Sequence, residues 1–474
     1  MAFVVSLAGA QAERPNVLFI LIDDFGWYDV GYNGSSFYET PHMDALASES
    51  MRFDACYTPS PMCSPTRLSI LTGKNPARHG VTQWLNGTDK AFGRKGETPR
   101  VYCPKPQSPG IKEAEFTLGE AFQEAGYETA FYGKWHMGPL ASTGGPTRHG
   151  YDSELAIIEA NRCSMFPPFR GGKYFPDAAE DETYTELLTD AAIDFVRKGR
   201  ERPFYLHLCH FAMHAPIESK PGELSRFAEK AAALPKIEPS TGLDEHSHQP
   251  HRLRQDDPVY AGELATLDAS IGELIQTLKD EGLFENTIII LTGDNGGRAT
   301  VNKPHSTSVM PLRGGKTFLF EGGLKTPLLV HWPGRTQGGQ TSGVPVTAMD
   351  FYPTLLEMVG LEARPEQHVD GVSLVPLMSG EPFERDSLYW HFPHYQGEGA
   401  YPMSAIRVGD RKLLHDYHRD EVLLFDLGQD PYEERNLAES QPEVAKELSE
   451  KLAAYLEETG AYIPQPITPS TSQP

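Results

Sequence analysis

The chain has 474 residues, more than one hydrophobic core ordinarily supports, so a large domain with a smaller companion is expected. Hydrophobic residues at 39% and charged residues at 23% are the balance of a soluble globular protein, and no apolar run is long enough to span a bilayer. A formal net charge of −23, with no Lys/Arg-rich stripe, excludes nucleic acid as a partner, so cations that serve an anionic ligand must be local.

Residues 1–12 are small and apolar and close on Ala10-Gln11-Ala12 before the polar Glu13-Arg14-Pro15, the form of a secretory cleavage site without its basic start. They are read as the remnant of a trimmed signal peptide, and the protein as exported to the periplasm or the exterior. Asn16–Ile22 is a continuous apolar run, the pattern of a strand buried on both faces, and it stops at Asp23-Asp24. Next comes Pro61-Met62-Cys63-Ser64-Pro65-Thr66-Arg67, followed by Leu68, Ile70 and Leu71. Pro65 marks a helix starting near Ser64 or Pro65. Cys63 then lies at or just before the N-cap, where free N–H groups and the macrodipole favour an anion, with Arg67 one turn in. Taken alone, this heptamer reads equally well as a buried structural cysteine in a Pro-rich loop.

Further apolar runs recur. Residues 129–132 lead into Gly133-Lys134-Trp135-His136, 204–209 into His210 and His214, 287–292 into Asp294-Asn295, and 327–331 into Trp332-Pro333-Gly334. Amphipathic helical stretches at 118–124, 182–197 and 260–279 lie between them. The alternation predicts an α/β fold, a large doubly wound mixed, mostly parallel sheet flanked by helices. In four of these units the polar residues come just after the apolar run, at the carboxyl end of a strand, where open α/β sheets place their sites.

Residues 360–367 are a break, and after Asp386 the chain changes to short strand-like segments at 388–392, 404–408, 413–416 and 421–426. A charged helix follows at 442–458, its Leu and Ala spacing implying one face packed on a sheet. The expected organisation is a catalytic domain over 13–385, a smaller antiparallel α+β subdomain over 386–463, and a disordered Pro/Ser/Thr-rich tail over 464–474. No internal repeat is present. Of the five cysteines, Cys209 ends an apolar run and reads as core. Cys103 and Cys163 lie in irregular Pro/Gly-rich stretches, where a disulfide between them is an open expectation.

Asp23, Asp24, Asp294 and Asn295 offer three carboxylates and an amide oxygen from two strand ends, an anionic all-oxygen set that selects calcium or magnesium over zinc. Each dipeptide alone is common in turns; two at the ends of buried strands are a stronger signal. Glycines flank Lys134 and His136, and Gly314-Gly315 before Lys316 let the backbone approach a ligand closely, although a surface Gly-Gly turn has the same appearance. His207 and His210 read as structural.

Cys63-Ser64-Pro65-Thr66-Arg67 with Leu71-Thr72-Gly73-Lys74 resembles the signature of the type I sulfatases, of the alkaline-phosphatase-like superfamily, in which the Cys is oxidised to formylglycine. Thr66 stands where Ser is commoner, and Lys74 where Arg is commoner. Gly133-Lys134-Trp135-His136, His214 before its Pro-containing turn, and Leu312-Arg313-Gly314-Gly315-Lys316 are similar to further segments of that family. The resemblance implies hydrolysis of sulfate monoesters, with Cys63, Arg67, Lys134, His136, His214 and Lys316 as catalytic residues. It also implies one calcium on Asp23, Asp24, Asp294, Asn295 and position 63. In the implied mechanism a formylglycine gem-diol attacks sulfur to give a covalent sulfo-enzyme, His214 protonates the leaving alcohol, and His136 is the base for sulfate release. A formylglycine-generating maturation enzyme is the implied partner in biogenesis.

Two alternatives accompany this reading. One is a phosphomonoester, phosphodiester or phosphonate hydrolase of the same superfamily, for which several His and Asp ligands to two zinc ions are expected. The other is a non-catalytic binder of sulfated glycans, against which the intact nucleophile motif argues. The expected substrate is a sulfated carbohydrate of galactose or hexosamine type, small or oligomeric. Residues expected to line its pocket are Trp84 and the following Leu85-Asn86-Gly87, residues 161–173, His305, Arg313, and the 389–395 cluster with His394. An aromatic cluster on a short strand is also what a core strand looks like.

Overall fold

The computed structural model describes residues 14–85, 98–103, 105, 108–158, 163–169 and 173–467. The expected signal remnant, Asn86, Gly87, parts of 161–173 and the end of the tail lie outside them. Eight strands form one mixed sheet in the order Thr341–Ser342, Met51–Phe53, Leu328–His331, Thr287–Gly293, Asn16–Ile22, Phe204–His210, Glu128–Lys134, Ser153–Ile158. The strands from Thr287–Gly293 to Ser153–Ile158 run parallel, and Leu328–His331 turns against them.

Asn16–Ile22 occupies the middle because every one of its residues is apolar or small enough to be covered on both faces. Val17, Phe19 and Leu21 join the core under the helices Leu118–Glu124 and Phe351–Met358. Leu18, Ile20 and Ile22 join the opposite core, under Tyr184–Arg197 and Pro258–Asp280. The molecule is therefore a doubly wound α/β protein. The edge strands Met51–Phe53 and Thr341–Ser342 are too short to carry a periodicity of their own, so the sequence does not announce them.

Register sets up the site. Asn16 to Ile22 pair with Thr287 to Gly293, and Ile22 also pairs with His210, so three strands end level. The next residues then have to bond one another: Asp294 N–H donates to the Ile22 carbonyl at 3.1 Å, and Asp23 N–H to that of Ala212 at 3.1 Å.

Leu388–Phe392, Met403–Val408, Arg411–Asp416 and Glu421–Asp426 form a separate four-stranded antiparallel sheet. Helix Pro442–Glu458 covers one face, burying Leu448, Leu452 and Leu456 against Ile406, Leu413 and Leu424. Each such leucine contributes about 1.5–3 kcal/mol. The other face, with Trp390, Phe392 and Phe425, packs on Tyr57, Phe318 and Phe320 of the large domain. The tail expected to be disordered from Pro464 begins otherwise: Gln465–Pro466 pairs with Val101–Tyr102, because backbone hydrogen bonding needs no side-chain signal.

No disulfide joins any two of the cysteines, so the Cys103–Cys163 bridge is not formed. The two sit in different packing neighbourhoods, Cys163 in the main core and Cys103 against the cluster beneath the small sheet.

At the seam of the two sheets Lys412, fully buried, places its ammonium 2.9 Å from Glu321 and 2.8 Å from Glu433. Lys412→Ala leaves two buried carboxylates facing each other, and is expected to cost about 3–5 kcal/mol of stability. A thermal melt no lower than that of the unmodified protein would contradict this account of the seam.

Candidate active site

Helix Cys63–Thr72 carries the first element of the site. Its N-cap is Met62 in an extended conformation and its C-cap is Gly73 at φ 67°, so Cys63 is the first helical residue, a turn position earlier than Pro65 suggests. All ten residues are buried, and the helix shows no amphipathic stripe because it lies inside the fold.

Beneath Cys63 the strand ends converge. Lys134 donates to Asp23 Oδ2, and Arg67 places Nε 2.8 Å from Asp294 Oδ2 while Nη1 donates to the Lys134 carbonyl at 2.7 Å. Lys316 Nζ lies 2.6 Å from Asp24 Oδ1, to which Asn295 Nδ2 also donates at 2.9 Å. Gly133, at φ 95°, is required here: a Cβ would stand 2.0 Å from the Cys209 carbonyl and push the strand end off Asp23. Asp24 and His136 themselves adopt left-handed backbone, at φ 53° and 52°. Such strain persists only where the surroundings over-determine it.

Three buried carboxylates thus face three buried cations, one to one. The ligand atoms of Asp23, Cys63 and Asp294 lie within 4.8 Å of one another. Asp23 Oδ1 and Asn295 Oδ1 are buried without a hydrogen-bond partner among the described residues. Oxygen donors left over in a carboxylate-rich floor fit a hard divalent cation. Its charge would leave the floor net positive, as an anionic substrate requires.

Burial and the charge of Asp294 push the Asp23 carboxyl up to about 7, against the pull of Lys134. Asp24 goes the other way, since Lys316, then His214 and Lys134, outweigh burial and hold it below the ordinary carboxylate range. Burial raises the Cys63 thiol, with Lys134 and Lys316 offsetting only part. An unmodified thiol here is neutral at pH 7. Burial and then Lys134 hold His136 well below the usual imidazole value; burial, Lys316 and Lys134 do the same for His214.

Tautomers follow from the partners. His136 Nε2 lies 3.3 Å from the Leu85 carbonyl and must donate, which leaves the Nδ1 lone pair 3.2 Å from Cys63 Sγ. His214 Nδ1 donates to the Ala215 carbonyl at 2.7 Å, leaving Nε2 unprotonated in the neutral ring.

Above this floor opens a cavity of about 960 Å³, reached by Cys63, His214 and Lys316 and walled by Trp84, residues 302–305 and residues 395–398. Trp84 and His305 are where the sequence suggested. Arg313 and His394 are not. Arg313 pairs with Asp244 at 2.6 Å and lies over the Phe320 ring, because the Gly314–Gly315 turn, at φ 83° and 140°, sends it away from Lys316. His394 is buried, its Nε2 2.8 Å from Thr82 Oγ1. His207 and His210 are buried in the Phe204–His210 strand. Asn302, Lys303, Gln396 and Glu398 carried no sequence signal, since nothing local separates them from a surface loop.

Comparison with known proteins agrees with the geometry. The family model described as sulfatase matches residues 15–361, and one described as N-sulphoglucosamine sulphohydrolase, C-terminal, matches residues 315–459. The chain is 28% identical to human (Homo sapiens) N-acetylgalactosamine-6-sulfatase over 96% of its own length and 88% of the relative's. It is 30% identical to arylsulfatase A of Bos taurus, covering 92% of this chain and 86% of that one. The crystal structure of Ps i-CgsB in complex with k-i-k-neocarrahexaose superposes with a TM-score of 0.74 at 25% identity, over 94% of each chain.

Proposed function

The chain belongs to the sulfatase family and is a sulfuric ester hydrolase, and we propose that it removes sulfate from a sulfated carbohydrate of galactose or hexosamine type, with Cys63 converted to formylglycine and calcium on Asp23, Asp24, Asp294 and Asn295. The observation that carries this reading is the position of Cys63. It stands between a cation-ready floor and an open cavity, with one neutral imidazole against its side chain and another at the cavity wall. The human relative is named for N-acetylgalactosamine 6-sulfate, and the structural relative was solved with an oligosaccharide, which supports a sugar as the leaving group.

Formylglycine at position 63, once hydrated, would supply a hydroxyl nucleophile, and calcium held by Asp23, Asp24, Asp294 and Asn295 would supply positive charge that favours attack on an anion. The chain's own residues do the rest. Lys316, on the cavity, brings an ammonium donor to the sulfate oxygens, while Lys134 and Arg67, locked on Asp23 and Asp294 beneath it, hold the hydrated group at position 63. His136 Nδ1 takes a proton from position 63. His214, once protonated, gives one to the ester oxygen as the alcohol departs. The same reading has the chain exported and converted by a formylglycine-generating enzyme during biogenesis. No helix among the described residues is long and apolar enough to cross a membrane.

The test is sulfate release from a defined panel of sulfated mono- and oligosaccharides. Sulfate from at least one sugar ester is expected, and release from aryl esters alone would contradict the carbohydrate reading. Removing calcium with a chelator is expected to abolish turnover and lower the melting temperature together. At calcium a hundredfold above Kd the stabilisation regained is about 2.7 kcal/mol. A melting temperature indifferent to calcium would exclude the site.

A further inference from the structure

Two loops of the cavity wall, residues 300–305 and 395–399, play no part in the chemistry above. They are fastened together: Asn302 Nδ2 donates to the Gly397 carbonyl at 2.8 Å, and Lys303 Nζ stands 3.7 Å from Glu398 Oε1. The first loop is restrained beyond what a surface loop needs. Arg298, 3% exposed, donates to the carbonyls of Thr300, Pro304 and His305. His305 holds a left-handed backbone at φ 57°, and its Nδ1 lies 3.2 Å from both oxygens of Asp257. Asp257 is buried and itself fixed, capping helix Pro258–Asp280 and pairing with Arg252.

A carboxylate only accepts, so Nδ1 carries the proton, and in the tautomer this fixes Nε2 is the nitrogen left to accept. Glu398 is a second acceptor on the same cavity. Its side chain is 15% exposed, and Lys303 is beyond hydrogen-bond distance. Acceptors in a cavity cost free energy when a ligand covers them without donating. A sterol or simple phenol whose one oxygen carries sulfate has no donor left. A pyranose has several.

We propose that His305, oriented by Asp257, and Glu398 form a hydroxyl-reading pair that selects a polyhydroxylated ring as the leaving group; this rests on the sulfatase reading of the site. Trp84 lines the same cavity and adds aromatic surface for ring carbons to pack on.

The experiment compares kcat/KM on p-nitrophenyl sulfate, which has no hydroxyl to donate, with kcat/KM on whichever hexose or hexosamine sulfate of a defined panel the matured protein cleaves best. His305→Ala and Glu398→Ala are each expected to lower the sugar-to-aryl ratio by roughly 10–100-fold, the scale of a lost hydrogen bond to an ordered or charged group. The loss should lie mainly in KM, Glu398→Gln should recover part of it, and Asp257→Asn should lower the ratio less than His305→Ala. An unchanged ratio, equal losses on both esters, or an unmodified protein that prefers the aryl ester would each overturn the pair. Failure of the matured, unmodified protein to release sulfate from any ester would instead overturn the sulfatase reading, and it shows before a variant is made.

Discussion

Cys63→Ala is expected to abolish sulfate release, with a loss of roughly 10⁴–10⁶-fold in kcat, the scale seen when a nucleophile is removed and its surroundings stay. Cys63 opens a helix whose buried length fixes it, its Sγ lies 3.2 Å from His136 Nδ1, and that sulfur lies within 4.8 Å of the Asp23 and Asp294 carboxylates at the edge of the cavity. The side chain faces the cavity, so removing one sulfur should change stability by no more than about 1 kcal/mol. The variant should therefore fold, bind the sugar sulfate and not turn it over. Residual turnover within about tenfold of the unmodified protein would move the nucleophile elsewhere.

The two histidines should fail differently. His214→Ala is expected to lower kcat on sugar sulfates by about 10²–10⁴-fold, the usual worth of general acid catalysis, and far less on p-nitrocatechol sulfate, whose leaving oxygen needs little proton help. Burial, Lys316 and Lys134 make the His214 proton easy to lose. A group that must be protonated then gives a kcat/KM that falls as pH rises, and His214→Ala should flatten that limb for sugar esters. His136→Ala should instead slow sulfate release whatever alcohol has left, so alcohol appears in a burst ahead of sulfate. Equal losses across leaving groups for the first variant, with no burst for the second, would show that the roles are misassigned.

The sheet was legible where burial leaves no choice. Asn16–Ile22 and helix Pro442–Glu458 have the limits that their apolar patterns suggest. The antiparallel turn of Leu328–His331 was not, because strand direction depends on the connection and not on composition. The floor of the site was legible for a related reason. Residues directly after buried parallel strands are brought level by register, so Asp23, Asp294 and Lys134 had to meet. The leaving-group wall follows no such rule. Arg313 sits three residues from Lys316 yet points the other way, while Asp257 and Glu398 gain their meaning only when loops far apart in sequence pack together. A glycine pair can reverse a side chain without leaving a periodic trace.

Sulfate release by this route depends on the group at position 63, and the most direct measurement is the mass of the peptide that spans it. In protein made with a maturation enzyme and active on a sugar sulfate, that peptide should carry formylglycine, and sulfate release across preparations should rise in proportion to the converted fraction. Full activity in a preparation whose peptide carries only unmodified cysteine would contradict it.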